Sequence, residues 1–307
     1  MAFLVVIVNA ASGTGSPPGY DQELEQRFAA QGVQARVVLV HSGADIVTAA
    51  RDAVDSGAPC VVAAGGDGTV SAVASQLAAT DATLGVLPTG TLNHFAKDNR
   101  IPLDVDEAIR VIAAGHVAQV DIAEVNGRRF INNSSLGLYP DIVRDREGQQ
   151  RRLGRSKWMA LLAASLHAFR RYPVLSLALE IDGKPMRRRS SFVFIGNNAY
   201  KMEGFEIGER ERIDSGQLSL YVTQRTGRFG LLRLALHALS HTLEQARDFD
   251  SLVAIDVRID TARQRVHVAT DGEVVVMQTP LRYRILPGAL RVFVPAAQQP
   301  EPSVRPT

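Results

Sequence analysis

Four short apolar runs, at residues 3–8, 33–40, 60–64 and 83–87, punctuate the first 120 residues, and a segment of helical period follows each. After 3–8 a Gly/Ser/Pro loop runs to Tyr20 and a helix is predicted over 21–31, closed by Gly32. Ile46, Val47, Ala50 and Val54 mark one face of the next helix, 69–79 reads as a third, and 104–114 as a fourth. The last carries a capping box from Asp104 to Glu107 and a glycine stop at Gly115. Runs this short are strands rather than helices, and strands alternating with helices imply parallel pairing in an open α/β sheet.

Beyond about residue 120 the rhythm changes. Segments 121–125 and 129–132 flank Asn126-Gly127, the strongest short hairpin signal. Leu175, Leu177, Leu179 and Ile181 alternate with smaller or polar residues up to Asp182-Gly183. Further strands are predicted at 191–195, 217–223, 252–259, 265–269, 274–278 and 281–285, with helices inserted at about 156–171 and 229–247. The expectation is an α/β domain followed by an antiparallel, β-sandwich-like domain, without internal repeats.

The length of 307 residues suits two domains, and 46% apolar with 21% charged residues is the balance of a soluble globular chain. Only the tail 298–307, rich in proline and glutamine, is expected to lack structure. With 34 basic against 32 acidic residues the net charge is +2, which argues against a dedicated nucleic-acid binder. The single cysteine, Cys60, allows no internal disulfide and no cysteine-based zinc site, which fits a reducing cytoplasm. The apolar start at 3–8 has no basic flank or cleavage site, and the longest later apolar run, 158–166, is far below the roughly 20 residues of a bilayer span. Neither a signal peptide nor a membrane anchor is expected.

Three loops rich in glycine, serine and threonine follow three of the first-half strands: Asn9 to Gly15, Gly65-Gly66-Asp67-Gly68-Thr69, and Pro88 to Ala96. In an open α/β sheet, ligands bind at the carboxyl ends of the strands. Glycines there let backbone N–H groups approach phosphate oxygens, and a helix N-terminus favours the anion. Asp67 would repel a bare phosphate, so it makes sense beside a divalent cation or as a holder of a hydroxyl. The plainer reading of this loop is a strand-to-helix turn. There is no Gly-x-x-x-x-Gly-Lys-Ser/Thr loop, since Gly183-Lys184 precedes Pro185, and no Gly-x-Gly-x-x-Gly order. In the second half, Asp271-Gly272-Glu273 lies between two predicted strands and presents two carboxylates close together, either for proton transfer or simply as a solvated hairpin turn.

Together these motifs resemble the diacylglycerol kinase catalytic-domain family, the bacterial lipid kinases related to sphingosine and ceramide kinases. Asn9 to Gly13 resembles the family's Asn-Pro-x-Ser-Gly, with Ala10 in place of proline; Gly65 to Thr69 matches Gly-Gly-Asp-Gly-Thr. Pro88 to Ala96 matches Pro-x-Gly-Thr-x-Asn-Asp-Phe-Ala, with His94 in place of aspartate. Asn132 to Asp141 resembles the opening of the second domain, and Asp271-Gly272-Glu273 the late Asp-Gly-Glu motif. Gly-Gly-Asp-Gly-Thr also occurs in NAD kinases, in which an Asn-Glu pair is expected to open the second domain; here the sequence reads Asn132-Asn133-Ser134-Ser135.

The resemblance implies a Rossmann-like N-terminal domain over 1–120 with a returning strand at 287–297, a β-sandwich lipid-substrate domain over 121–286, and an active site in the cleft between them. It implies ATP and Mg2+ as cofactors, with Asn9, Ser12, Gly13, Gly65, Gly66, Asp67, Gly68, Thr69, Thr91 and Asn93 at the nucleotide. Asp67 is the candidate ligand of the catalytic magnesium, a hard cation that prefers carboxylate oxygen. Glu273 is the implied base, supported by Asp271. A second, structural magnesium is implied at a loop reading Arg212-Ile213-Asp214-Ser215-Gly216-Gln217, where Ser215 stands in place of the ligand aspartate and Asp214 is the nearest carboxylate. His41 or Ser42 stands where an ATP-contacting threonine is expected. His94 reads either as a nucleotide or substrate contact or as a cap or packing residue.

The stretch 144–171 holds eight basic residues against Asp145 and Glu147 and leads into an apolar helix starting at Trp158. It suits either a surface helix on anionic lipid, to which Arg187-Arg188-Arg189 could add, or a core helix with solvated arginines. The expected partner is a lipid substrate at the inner, anionic membrane face. A homodimer is an expectation of the resemblance alone. The rival readings are an NAD kinase-like enzyme and a catalytically idle nucleotide- or lipid-binding regulator.

Overall fold

The computed structural model describes residues 4–10, 17–137, 175–190, 192–203, 206–210, 212–223 and 249–296. Ser12, Gly13, the basic stretch 144–171, the helices expected at 156–171 and 229–247 and the tail 298–307 lie outside the described residues. The chain divides into two compact units, Met1–Ile122 with Pro287–Thr307, and Ala123–Leu286.

In the first unit, β1 (Leu4–Asn9), α1 (Tyr20–Ala30), β2 (Ala35–Val40), α2 (Gly43–Asp55), β3 (Cys60–Gly65), α3 (Asp67–Leu77), β4 (Thr83–Pro88), α4 (His94–Asp98), α5 (Val105–Ala114) and the start of β5 (Val117–Val125) follow one another. The strands pair in parallel in the order β2-β1-β3-β4. Every residue of β3 and β4 is buried, as central strands with both faces covered must be, whereas edge strand β2 is only partly so. The covering helices contribute Leu24 and Phe28 from α1, Ile46 and Ala50 from α2, Val73 and Leu77 from α3, and Ile109 and Ile112 from α5. Two helices carry side-chain caps: Asp104 Oδ1 accepts the Glu107 N–H at 3.0 Å, where the sequence signals it, and Ser42 Oγ accepts the Asp45 N–H at 3.2 Å.

The second unit is antiparallel. It contains β6 (Arg128–Phe130), β7 (Asn133–Gly137), β8 (Leu175–Ile181), β9 (Lys184–Ser190), β10 (Phe192–Asn197), β11 (Tyr200–Glu203), β12 (Glu206–Arg210), β13 (Leu218–Thr223), β14 (Phe249–Ala254), β15 (Asp256–Thr261), β16 (Arg265–Thr270), β17 (Glu273–Gln278) and the first part of β18 (Leu281–Phe293). One sheet runs β14-β13-β10-β7-β16-β17; the other runs β18-β15-β8-β9, with β5 paired to β18 and β6. Leu136, Val193, Ile195, Leu220 and Val268 of the first sheet share one core with Leu177, Leu179, Val257, Ile259 and Tyr283 of the second. This is the sandwich that the alternating segments predict. Three of its turns are two-residue Asn-Gly or Asp-Gly turns with both φ angles positive: 47° and 84° at Asn126-Gly127, 47° and 78° at Asp182-Gly183, and 47° and 85° at Asp271-Gly272. That geometry matches the twist of the flanking strands and needs residues that tolerate the left-handed region.

One expected strand is two. The run 252–259 breaks at Ile255, so that β14 belongs to one sheet and β15 to the other. The Asp182 carboxylate accepts the N–H groups of Ile255 and Asp256, both at 3.0 Å, and satisfies the backbone where the chain changes sheets. β18 pairs through Leu281 to Arg284 with β15, and through Arg291 and Val292 with β4 of the first unit. Among the described residues no helix is long and apolar enough to cross a membrane.

Candidate active site

The strand order of the first unit fixes where a ligand belongs. The connection from β1 goes to one side, to β2, and the next crosses back to β3, so the strand order reverses between β1 and β3. In open α/β sheets the crevice outside the carboxyl ends at such a reversal is the binding position. Register brings the three loops level there: Val8 pairs with Ala64, and Gly65 with Pro88. Asn9 ends β1, Gly65 ends β3 and Pro88 ends β4.

Glycine is required at one of these ends, Gly65, and in the loop after β4, at Gly90. A Cβ on Gly65 would lie 2.4 Å from Thr69 Oγ1, and a Cβ on Gly90 would lie 2.3 Å from the Gly66 Cα. The second and third loops therefore touch backbone to backbone. The Thr89 N–H donates to the Gly65 carbonyl at 3.2 Å, and the Phe95 N–H to Asp67 Oδ1 at 3.1 Å. The first loop joins through Asn9 Nδ2, which donates to the buried Thr69 Oγ1 at 3.3 Å. Asp67 sits half-buried in the first turn of the eleven-residue helix α3, and Gly68 beside it is exposed. A helix N-terminus carries unpaired N–H groups and positive partial charge, so the cradle combines anion-seeking backbone with one hard carboxylate. That donor set fits a phosphate chain accompanied by a divalent cation.

Several expected contacts have other duties. Asn93, at φ 51°, is buried, and its amide accepts from the Gly90 N–H and donates to the carbonyls of Pro88 and Gly90. It shapes the third loop from within. Thr91 is exposed. Ser42 caps α2, and His41 is exposed. His94 opens α4 with an exposed side chain while Asn93 holds the cap position, so the capping and packing readings of His94 both fail.

In the second unit the Asp271-Gly272 turn joins β16 to β17, with Thr270 paired to Glu273. Asp271 turns its carboxylate inward: Oδ2 accepts the Ile131 N–H at 2.9 Å, and Oδ1 those of Asn132 and Asn133 at 2.9 and 3.0 Å. It ties the hairpin to the bend between β6 and β7. Glu273 points outward with its side chain 73% exposed, and pairs with Arg128, whose Nε donates to Thr270 Oγ1 at 2.8 Å. Arg128 was not anticipated from the sequence, because a lone arginine 145 positions away from Glu273 carries no local signal.

Also unanticipated is a buried polar group beneath the bend. Arg210 donates to the Ile131 carbonyl at 2.6 Å and to Asn132 Oδ1 at 3.2 Å, with its guanidinium carbon 5.8 Å from the Tyr200 ring centre. Asn197 Nδ2 donates to the same Ile131 carbonyl at 2.9 Å. In the adjacent loop, Asp214 and Ser215 meet protein groups. Arg212 contacts both carboxylate oxygens of Asp214 at 3.0 and 3.3 Å, while Ser215 gives its N–H and hydroxyl to Asn198 Oδ1. Among the described residues no cluster of three His, Cys, Asp or Glu side chains is placed to hold a metal.

Comparison with known proteins agrees with this division. Residues 3–125 match the model of the diacylglycerol kinase catalytic domain, and residues 142–294 that of the YegS C-terminal NAD kinase beta sandwich-like domain. A diacylglycerol kinase of Bacillus subtilis (strain 168) is 26% identical over 277 residues, covering 87% of this chain and 88% of its own. A diacylglycerol kinase of Staphylococcus aureus (strain JH9) is 27% identical over 237 residues, covering 75% and 72%. Among solved structures, a diacylglycerol kinase from Bacillus anthracis str. Sterne superposes with a TM-score of 0.68 at 20% identity, over 96% of this chain and 98% of that one. A second structure from that organism reaches 0.74 at 22% identity, with the same coverage.

Proposed function

Because the chain belongs to the diacylglycerol kinase catalytic-domain family, we propose that it is an ATP- and magnesium-dependent lipid kinase, transferring the γ-phosphate to the hydroxyl of a diacylglycerol-like lipid at the inner membrane face. The observation that carries this reading is the meeting of three loops at the β1/β3 reversal, with Asp67 inside a backbone cradle. Phosphoryl transfer asks a protein mainly for position and charge compensation. The N-terminus of α3 and the glycine backbone of residues 65–68 would receive the phosphates, and Asn9 with Thr69 would fix the wall of the cradle. Asp67 would hold the magnesium, which when bound offsets the negative charge of the transferred group. Its other tie, to the Phe95 N–H, keeps that carboxylate from swinging away.

On the acceptor side, Glu273 is the exposed carboxylate of the Asp-Gly-Glu turn and would take the proton of the attacking hydroxyl. Asp271 acts at one remove: with three backbone N–H groups on its carboxylate it holds the turn and makes no free second base. Arg128, through its ion pair with Glu273, would orient that carboxylate until the acceptor arrives.

The test is transfer of radiolabelled γ-phosphate from ATP with magnesium into a panel of diacylglycerol, monoacylglycerol, ceramide and a long-chain base in anionic micelles, with NAD in a parallel tube. Label in a lipid is the expected result and names the acceptor. Label in NAD overturns the lipid reading, and label in neither with ATP binding intact favours the idle regulator.

A further inference from the structure

A charged side chain stands at each edge of the peptide group between Ile131 and Asn132. The carbonyl of this group accepts Arg210 Nη1 at 2.6 Å and Asn197 Nδ2 at 2.9 Å, and its N–H donates to Asp271 Oδ1 at 2.9 Å. The carbonyl and N–H of a trans peptide point in opposite directions, so the guanidinium and the carboxylate hold this unit from both sides. Its dipole is aligned with them, oxygen towards the cation and hydrogen towards the anion. Hydrogen bonds to charged groups are the strong ones, and bonds linked in such a chain polarise one another.

The grip extends to the neighbouring residues. Arg210 Nη2 donates to Asn132 Oδ1 at 3.2 Å, while the Asn132 carbonyl accepts the Tyr200 hydroxyl and the Asn197 N–H, both at 2.9 Å. The Asn133 carbonyl accepts the Asp271 N–H at 2.9 Å, so Asp271 is fastened to the bend by its backbone as well as by its carboxylate. Arg210 is 7% exposed, and arginine is seldom buried this far without strong partners. Asn197 by itself already supplies the Ile131 carbonyl with a donor. What the arginine adds is a fixed charge and a planar fork that spans the Ile131 carbonyl and Asn132 Oδ1 at once. Displacing the bend displaces Asp271, and with it the turn that carries Glu273.

We propose that Arg210 is a positioning residue for Glu273, acting through the Ile131–Asn132 peptide and Asp271; this rests on the reading of Glu273 as the base that takes the acceptor's proton. Arg128 meets Glu273 directly and bears on where its carboxylate points, whereas Arg210 fixes where the turn itself stands. All of these residues belong to the second unit. A proton acceptor works only within hydrogen-bond reach of the hydroxyl it serves. A misplacement of about 1 Å, caused by a change away from the chemistry, costs about 100-fold in rate.

The test is a double-mutant cycle in the full chain, with γ-phosphate transfer from ATP to diacylglycerol in mixed micelles as the first readout. Arg210→Met keeps the length of the side chain and removes its donors; Arg210→Lys keeps the charge and loses the fork, and carries the same test where the methionine variant does not fold. Circular dichroism and thermal melting check the fold of each. Arg210→Met should lower kcat by about 100-fold with ATP affinity unchanged, and Arg210→Lys should recover part of the loss. Added to Glu273→Gln, Arg210→Met should cost less than about 2-fold more, because a residue that acts through Glu273 has nothing left to position. An equal loss in both backgrounds, or wild-type turnover in Arg210→Met, overturns the proposal while leaving the kinase reading intact. The second readout needs no activity: hydrogen exchange, followed by mass spectrometry, at the amides of Ile131, Asn132 and Asn133. These should lose protection in the Arg210 variant while those of β3 keep theirs, and unchanged protection at the bend overturns the link. Lost protection at the bend, with no transfer to any lipid by wild type, supports the link from Arg210 to the turn and overturns the kinase reading.

Discussion

Side chains in this molecule act through what they are fastened to. Asp271 and Glu273 are two positions apart in a turn of carboxylates, yet one is drawn onto the backbone of residues 131–133 and the other stands in solvent beside Arg128. The spacing was legible in the sequence; the division of labour was not, because it depends on partners 138 to 145 positions away. Asn93 is a similar case, a motif residue whose amide is used up inside its own loop. Cys60 shows burial acting alone. It is buried on β3, and desolvation pushes its thiol from an ordinary 9.0 up to about 12. The neutral thiol is thus the form that the fold keeps, so its contribution to stability is complete below pH 9 and is lost as pH rises from 9 towards 12, where the unfolded chain ionises first. Urea titrations from about pH 8 to about pH 10 should show wild type losing stability relative to Cys60→Ala, at up to about 1.4 kcal/mol per pH unit above the unfolded value. Parallel pH profiles for the two proteins would contradict the burial.

At the scale of elements, the periodicities carried most of the fold. Buried apolar runs gave β1, β3 and β4, the alternation at 175–181 gave β8, and the Asn126-Gly127, Asp182-Gly183 and Asp271-Gly272 pairs gave their turns. What escaped had no apolar pattern to read. β7 is Asn-Ser-Ser-Leu-Gly with its serines buried, and β9 reads Lys-Pro-Met-Arg-Arg-Arg-Ser, with no alternation of apolar residues. The break at Ile255 escaped because Asp182, far away in sequence, is what permits it. The glycine loops were legible as a set, but not the contact that joins two of them. Gly90→Ala should test that contact: its Cβ would meet the Gly66 backbone at 2.3 Å, and neither side can yield as a flexible side chain would. Overpacking of this kind costs about 1–3 kcal/mol. The expected outcome is a lower melting temperature together with loss of the stabilisation that ATP confers in a thermal-shift titration. A variant with wild-type melting and ATP response would show that the loops can separate freely.

At the scale of the whole chain, two units divide the proposed labour. The first is completed late: β18 leaves the sandwich after Ile285 and its Arg291 and Val292 pair with β4, so the α/β unit draws on both ends of the chain. The proposed nucleotide cradle belongs wholly to that unit and the Asp-Gly-Glu turn to the other. The two functions are therefore separable by mutation. Glu273→Gln removes a proton acceptor on an exposed turn while keeping its size and leaving the Asp271 anchor in place. The most direct measurement is γ-phosphate transfer to the accepted lipid by Glu273→Gln, with ATP binding to the same protein measured by calorimetry. The account predicts turnover reduced by about 100-fold to 10,000-fold with ATP affinity unchanged. Turnover at the wild-type rate would contradict the assignment of Glu273 as the base.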